Sequence, residues 1–332
     1  MAALGAPHGP GAGRFAPSPT GHLHVGNLRT ALLSWLVARR AGAEWMVRME
    51  DLDPVTSSPE VATAQLTSLA VLGLRSDRPV VFQSQRFDVY EGAIARLQAA
   101  GLTYDCFCTR REIREAAQAP HDALAEHQAA RAMPDGAYPG TCRELATDTR
   151  RRFVAEGRRP ALRLRTDGQV LGFDDEIAGR VDASIDDVVL RRNDGVAAYN
   201  LAVVVDDAAQ GITEVVRGDD LATSTPRQIL LQRLLGLPTL RYAHVPLVVG
   251  TDGVRIAKRR GGVTLADLAA VGISSRWLLA LLAASLGQCA RSDDVTLDGL
   301  LAGFDIGAVP RDPCRLADLL AGIDLAGAIH DV

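Results

Sequence analysis

RFAPSPTGHLHVGNLRTALLSWLVARR, residues 14–40, is the stretch from which the architecture follows. A short apolar segment at 14–16 passes through a Pro- and Gly-rich turn at 17–21. Beyond it, Leu28, Ala31, Leu32, Trp35 and Leu36 recur at helical spacing. That spacing is one apolar face of a helix, so the turn sits on a helix N-terminus. The first backbone N–H groups of a helix have no intrahelical partner and the helix dipole is positive there, which makes such a turn a cradle for phosphate. Gly21 and Gly26 let backbone approach a bound group closely. His22 and His24 bring titratable rings to the same turn.

Outward from this turn the pattern alternates. Residues 45–49 read as a second strand with Glu50, Asp51 and Asp53 at its carboxyl end, where open α/β sheets bind ligands. Val61, Leu66, Leu69 and Leu72 predict a helix over 58–74 that stops at Gly73, and a further helix over 86–100 ends at Gly101. Strand–helix alternation predicts a parallel, doubly wound sheet. The alternation breaks near 105. Residues 106–160 are rich in Ala, Arg and Pro, show little strand pattern and read as an insertion, and the alternation resumes at 161–164 and 188–191. Apolar runs at 201–205 and 212–216 follow. Next comes a helix with Ser224 or Thr225 as N-cap, Pro226 in its first turn, Ile229, Leu230 and Leu234 on one face, and Gly236 past its end. Residues 245–249 read as another buried strand, followed by the basic loop TDGVRIAKRRGG at 251–262. Beyond Val263 the chain reads as helical, with Ser274 or Ser275 capping WLLALLAASL and Gly287 closing it. There is no internal repeat.

A chain of 332 residues, 47% apolar and 23% charged, can bury a sizeable core. No window approaches the uninterrupted apolar length of a membrane span, and MAALGAPHGPGAG lacks the basic and apolar regions of a secretory signal. A cytoplasmic monomer without membrane contact is expected. The net charge of −4 gives no overall basic field, so RNA contact would use a local patch at 110–117, 149–159 or 255–260, each of which also reads as a solvated charged face. The odd cysteine count, with Cys106, Cys108, Cys142, Cys289 and Cys314, argues against a disulfide framework. Cys289 and Cys314 read as buried small apolar residues.

With RFAPSPTGHLHVGN at one end and RIAKR at 255–259, the chain resembles the class I aminoacyl-tRNA synthetases, specifically their glutamyl branch. HVGN at 24–27 stands where that family has its HIGH motif, and RIAKR where it has its KMSKS loop. MEDLDP at 49–54 and AYNLAVVVDDAAQGITEVVRGDDL at 198–221 also resemble glutamyl synthetase segments. The resemblance implies a Rossmann-type catalytic domain divided by an insertion: 1–12 a tail, 13–104 and 194–262 its two halves, 105–193 the insertion with the acceptor-contacting region, and 263–332 a short helical region without an anticodon-binding domain. It also implies activation of L-glutamate by ATP, with Mg2+, and transfer of the glutamyl group to RNA. Such a reaction needs placement and positive charge more than a covalent nucleophile. His24 and Lys258 are the implied catalytic residues, and Gly21, His24, Gly26, Asn27 and Lys258 the ATP contacts. Arg14, Phe15, Ala16, Pro17, Ser18, Glu50, Tyr199 and Arg217 form the implied glutamate pocket, with Arg14 and Arg217 gripping carboxylates through their planar forks and Glu50 taking the ammonium. A salt bridge from Arg217 to Asp219 or Asp220 is the plainer reading of that arginine. Where the family has the first lysine and the serine of the KMSKS loop, this chain has Arg255 and Ala257.

Cys106-Phe-Cys108 followed by Tyr138-Pro-Gly-Thr-Cys142 resembles the C-x-C…Y-x3-C zinc site of truncated glutamyl-synthetase paralogues, whose acceptor is the queuosine base of tRNA(Asp). Thiolates are good zinc ligands and structural sites take four. Cys106, Cys108, Tyr138 and Cys142 are the implied set, with His121 or His127 as alternatives to the phenolate, and three unrelated buried cysteines as the plain alternative. The intervening segment 109–137 is longer than that family's. Two competing readings stay open: a truncated glutamyl-tRNA synthetase charging tRNA(Glu), and a catalytically silent synthetase-like domain that binds RNA or protein.

Overall fold

The computed structural model describes residues 11–109, 111–113, 137–256, 262–291 and 294–323. Strand β1 (Ala12–Phe15) runs through the turn into α1 (Val25–Arg40), and then come β2 (Glu44–Met49), α2 (Pro59–Val71), β3 (Val81–Phe82) and α3 (Phe87–Ala99). After α3 the chain leaves the main sheet through β4 (Thr103–Cys106), α4 (Thr147–Ala155), β5 (Ala161–Leu164), the hairpin β6 (Val170–Asp175) and β7 (Gly179–Ser184), and β8 (Val189–Arg191). It returns with α5 (Tyr199–Ala209), β9 (Ile212–Gly218), α6 (Thr225–Leu234), β10 (Arg241–Val245) and β11 (Val248–Val249). The last described segments are α7 (Leu265–Ala270), α8 (Ser275–Ser285), α9 (Leu297–Ala302), β12 (Cys314–Arg315) and α10 (Leu316–Leu319).

Among the described residues the main sheet has five strands in the order β10-β9-β1-β2-β3, paired in parallel throughout. From β1 the chain moves to β2 on one side, whereas β9 lies on the other. The gap between the carboxyl ends of β1 and β9 is therefore a switch point, the place where open α/β sheets take ligands. Helix α1 covers one face. A Cβ on Gly13 would lie 2.8 Å from that of Ala38, so a bare backbone in β1 is what lets α1 sit so close. Leu28, Leu32 and Leu36 of α1 pack with Trp45 and with α8 in one core. On the other face α3, α5 and α6 form a second core with Tyr90, Ile94, Leu201 and Leu231.

The α/β expectation holds, with three local differences. The run at 201–205 lies within helix α5 and is buried on every side, which is why no helical stripe showed in it. The strand expected at 245–249 is two, β10 and β11, separated by Pro246, which has no N–H for a ladder. Ser224 precedes α6 but makes no side-chain cap, while Ser274 caps α8 by accepting from the Trp277 N–H. Among the described residues, those of 106–160 carry little strand, as expected, but the runs at 161–164 and 188–191 do not rejoin the main sheet. β4, β5 and β8 form an antiparallel sheet, and the β6–β7 hairpin packs against β10. No helix among the described residues is long and apolar enough to cross a membrane.

Candidate active site

A cleft of about 640 Å³ opens at the switch point. Arg14, Phe15, Ala16, Pro17, Ser18, Glu50, Tyr199 and Arg217 line one side, with His24, Gly26 and Asn27 on its rim toward α1 and Asp220 and Arg255 opposite. The structure thus brings together nearly all of the residues singled out from the sequence. Gly21 is not among the lining residues; its carbonyl accepts from the buried Gln65 amide at 2.7 Å, which also holds the Ser18 carbonyl at 3.0 Å and so clamps the turn. Lys258, Ala257, His121 and His127 lie outside the described residues.

On the α1 side of the cleft, His24 is the N-cap of the helix. Its Nδ1 accepts from the Gly26 and Asn27 N–H groups at 3.1 and 3.3 Å, and Asn27 Oδ1 accepts from the His24 N–H at 3.2 Å. This reciprocal capping box fixes the ring tautomer, because an Nδ1 that accepts leaves the proton on Nε2. A Cβ on Gly26 would stand 3.0 Å from the His24 ring, so glycine there preserves the ring's place. The basic loop is anchored on this rim at both ends. In its first half, Arg255 bridges back to Val249; just after it, Val25 N–H donates to the Val263 carbonyl at 2.9 Å and His24 bridges Thr264. Arg255 pairs with Asp220.

The opposite wall, around Arg14, Glu50 and Arg217, is built from buried charge. Asp207 pairs with Arg14 Nε at 3.1 Å and with Arg48 Nη1 at 2.7 Å, and Arg48 also reaches Glu50 at 3.4 Å and Asp206 at 3.8 Å. Asp206 accepts from Arg86 Nε at 2.6 Å, Gln83 Nε2 at 2.8 Å and Tyr90 Oη at 2.9 Å. Burial alone would push the Asp207 carboxyl up, but the Arg14 and Arg48 guanidiniums hold it below the usual carboxylate range. Glu50, against the cleft, goes the other way: burial raises it more than Arg48 and Arg14 lower it, and a cation entering the cleft would stabilise its ionised form.

Arg217 differs from every one of these. It is 6% exposed, and its partners are neutral: His244 Nε2 at 3.1 Å, Thr225 Oγ1 at 2.8 Å and Tyr199 Oη at 3.5 Å. Among the described residues no carboxylate pairs with it, and the salt bridge to Asp219 or Asp220 is not formed. Arg14, by contrast, already has Asp207. A buried cation without an anion is costly, and this one faces the cleft. The sequence reading missed Arg48, Asp206, Asp207, Thr225 and His244; a tandem Asp206-Asp207 closing an apolar run was the one available signal.

A separate cluster lies where β4 meets residues 137–142. The Cys106, Cys108 and Cys142 sulfurs lie within 4.8 Å of one another, with Cys108 and Cys142 3.4 Å apart. Tyr138 Oη sits 3.4 Å from Cys106 Sγ and 3.9 Å from Cys108 Sγ. Zinc–sulfur bonds of about 2.3 Å in a tetrahedron put ligand atoms about 3.8 Å apart, so three sulfurs and the phenol oxygen fit a metal. Arg163 lies over the Tyr138 ring at 3.7 Å from its centroid, while burial and the neighbouring Cys106 push the Tyr138 hydroxyl well above its ordinary value, so a bound metal would have to displace that proton.

Comparison with known proteins agrees with this geometry. Residues 12–284 match the profile of the tRNA synthetases class I (E and Q), catalytic domain, and the chain belongs to that family. Within it, the chain is 54% identical to the glutamyl-Q tRNA(Asp) synthetase of Nocardia farcinica over 96% of this chain and 97% of that one. Identity to the same-named protein of Symbiobacterium thermophilum is 44%, over 94% and 98% of the two chains. Against the glutamate–tRNA ligase of Geobacter sulfurreducens identity is also 44%, but only 52% of that protein is covered. A solved glutamate tRNA ligase from Elizabethkingia meningosepticum shares the fold, with a TM-score of 0.75 and 24% identity over 92% of this chain and 67% of that one.

Proposed function

We propose that this chain activates L-glutamate with ATP to form glutamyl-adenylate and pyrophosphate, and transfers the glutamyl group from the adenylate to a hydroxyl of the queuosine base of tRNA(Asp), with AMP as the leaving group. The observation that carries the first half is Arg217, a buried guanidinium held only by neutral groups on the floor of a cleft whose opposite rim is a capped helix N-terminus. A substrate carboxylate completes the first and ATP phosphates suit the second. Glu50 takes the ammonium, while Arg14, held by Asp207, shapes the pocket with Phe15, Ala16, Pro17, Ser18 and Tyr199. The glutamate α-carboxylate attacks the α-phosphorus and pyrophosphate departs. His24 Nε2–H donates to phosphate oxygens within the positive field of the α1 dipole, and Lys258 brings its charge from the basic loop. Mg2+ bound with ATP supplies charge neutralisation on the phosphates.

The acceptor assignment is supported by near end-to-end similarity to proteins named for tRNA(Asp), set against half-length coverage of a glutamate–tRNA ligase. The insertion at 105–193 supplies the RNA contact, with Arg151 and Arg152 exposed on α4. A structural zinc held by Cys106, Cys108, Cys142 and Tyr138 would tie β4 to residues 137–142 and so fix the insertion's base. The protein acts as a cytoplasmic monomer.

One preparation tests this reading. Glutamate-dependent ATP–pyrophosphate exchange is expected, as is transfer to queuosine-containing tRNA(Asp) and a zinc content near one per chain. Absence of exchange would overturn the enzyme assignment, charging of unmodified tRNA(Glu) transcript would overturn the acceptor, and clearly substoichiometric zinc would overturn the metal site.

A further inference from the structure

Behind the Arg217 guanidinium stands a row of side chains that the reaction above leaves unused. Asp175 ends β6, His244 lies on β10, and both side chains are fully buried with Asp175 Oδ2 2.6 Å from His244 Nδ1. The other ring nitrogen, Nε2, is 3.1 Å from Arg217 Nε. An arginine N–H can only donate, so His244 Nε2 presents its lone pair and the ring proton sits on Nδ1, donated to Asp175. Thr225 Oγ1 accepts from Arg217 Nη2 at 2.8 Å and lies 3.2 Å from the Leu221 carbonyl and 3.1 Å from His244 Nε2, so its hydroxyl can donate to either acceptor. Asp175 is itself immobilised, accepting from the Ile177, Ala178 and His244 backbone N–H groups at 2.8–3.1 Å. Two of the three guanidinium nitrogens are thus engaged from behind. Nη1, 3.5 Å from Tyr199 Oη, is left toward the cleft.

We infer that Asp175 and His244 are positioning residues for the substrate carboxylate: a neutral His244, oriented by Asp175 from the insertion hairpin, aims Arg217, and protonation of His244 disarms it. The inference rests on the glutamate reading given above. The groups facing His244 are Asp175 from β6, Arg217 from β9, Arg14 from β1 and Asp219 at the end of β9. Burial lowers the imidazole below its ordinary value; Asp175 pushes it up, and Arg217 and Arg14 push it down again. The competent neutral form is therefore present at and above neutrality. As pH falls through the imidazole pKa, an N–H replaces the lone pair facing the Arg217 Nε–H and the two donors repel.

Glutamate affinity by calorimetry, together with glutamate and ATP KM in pyrophosphate exchange, tests this between about pH 5.5 and 8. In wild type, glutamate affinity should weaken toward the acid end. His244→Gln keeps an acceptor that does not titrate, so its affinity at the alkaline end should stay within a few-fold of wild type and the His244 part of the acid loss should vanish. His244→Leu removes the acceptor and should weaken glutamate on the order of 10-fold across the range, with ATP KM unchanged. Asp175→Asn should weaken glutamate while leaving ATP alone. Parallel acid profiles for wild type and His244→Gln would overturn the inference, as would glutamate and ATP constants rising together in a folded variant. If His244→Leu does not fold, the pH comparison with His244→Gln decides. Wild type that neither binds glutamate nor exchanges overturns the functional reading and this inference with it; wild type that binds, with unaltered variants, overturns the inference alone.

Discussion

On the amino-acid wall of the cleft the charges are side chains, buried and paired before any substrate arrives: Arg14 and Arg48 on Asp207, Arg48 and Arg86 on Asp206, and Arg217 braced by His244 and Thr225. On the nucleotide wall the charge is that of a helix N-terminus, a ring held by backbone N–H groups, and a loop pinned at both ends. Under the proposed function, the difference follows from what each wall has to recognise. One small carboxylate must be told from its neutral isosteres, and buried polar groups left unpaired by the wrong ligand give that discrimination. A triphosphate carries its charge over many oxygens, and backbone donors around a Gly-rich turn suffice to follow it.

If the first wall is held by its own charges, removing one should cost stability before it costs chemistry. Asp206→Ala strips Arg48, Arg86 and Tyr90 of a shared acceptor in a fully buried place, and breaking such a network costs about 3–5 kcal/mol. Urea unfolding of the variant should show a loss of that size. A loss below about 1 kcal/mol, the level of an exposed pair, would mean that packing rather than charge holds this wall.

The opposite pattern is expected of the lysine proposed for the second wall. Lys258→Ala should slow glutamate-dependent exchange by about 100-fold or more, the usual cost of removing one donor from a developing charge, while thermal unfolding stays at the wild-type temperature. The loop is fixed through Val249, Ile256 and Val263, which the substitution leaves in place. An unchanged rate would remove Lys258 from the mechanism and leave the phosphates to His24 and the α1 N-terminus.

The two walls were not equally legible in the sequence. The nucleotide wall is local: turn, cap and helix are consecutive, so apolar spacing and Gly placement revealed it. The amino-acid wall is assembled from β1, β2, α5, β9 and β10, and its decisive pairs join residues far apart in the chain, as Arg14 does with Asp207 and Asp175 with His244. Periodicity carries no trace of such pairs. The run at 201–207 hid both its helix and its two aspartates because burial on all sides erases the amphipathic stripe. Resemblance supplied Arg14, Glu50, Tyr199 and Arg217, but not the side chains that hold them. The three cysteines and Tyr138 were legible because their motif is short, although their closure on one another depends on β4 meeting residues 137–142.

Asn27 gives the smallest effect and the finest division between capping and nucleotide binding. Its Oδ1 accepts from the His24 N–H while its backbone N–H donates to His24 Nδ1, so this one residue both caps α1 and helps set the tautomer that leaves the ring proton on His24 Nε2. Asn27→Ala should cost about 1 kcal/mol of stability, the usual value of a lost cap, and raise ATP KM severalfold as the ring loosens. Asn27→Asp separates the two roles. A carboxylate can still accept from the His24 N–H, and negative charge at a helix N-terminus is favourable, so stability should match wild type. The same charge faces incoming phosphates, so ATP KM should rise more than in Asn27→Ala. Were Asn27→Asp to bind ATP as wild type does, the phosphates could not lie along the α1 N-terminus, and the nucleotide wall would have to be sought nearer Asp220 and Arg255.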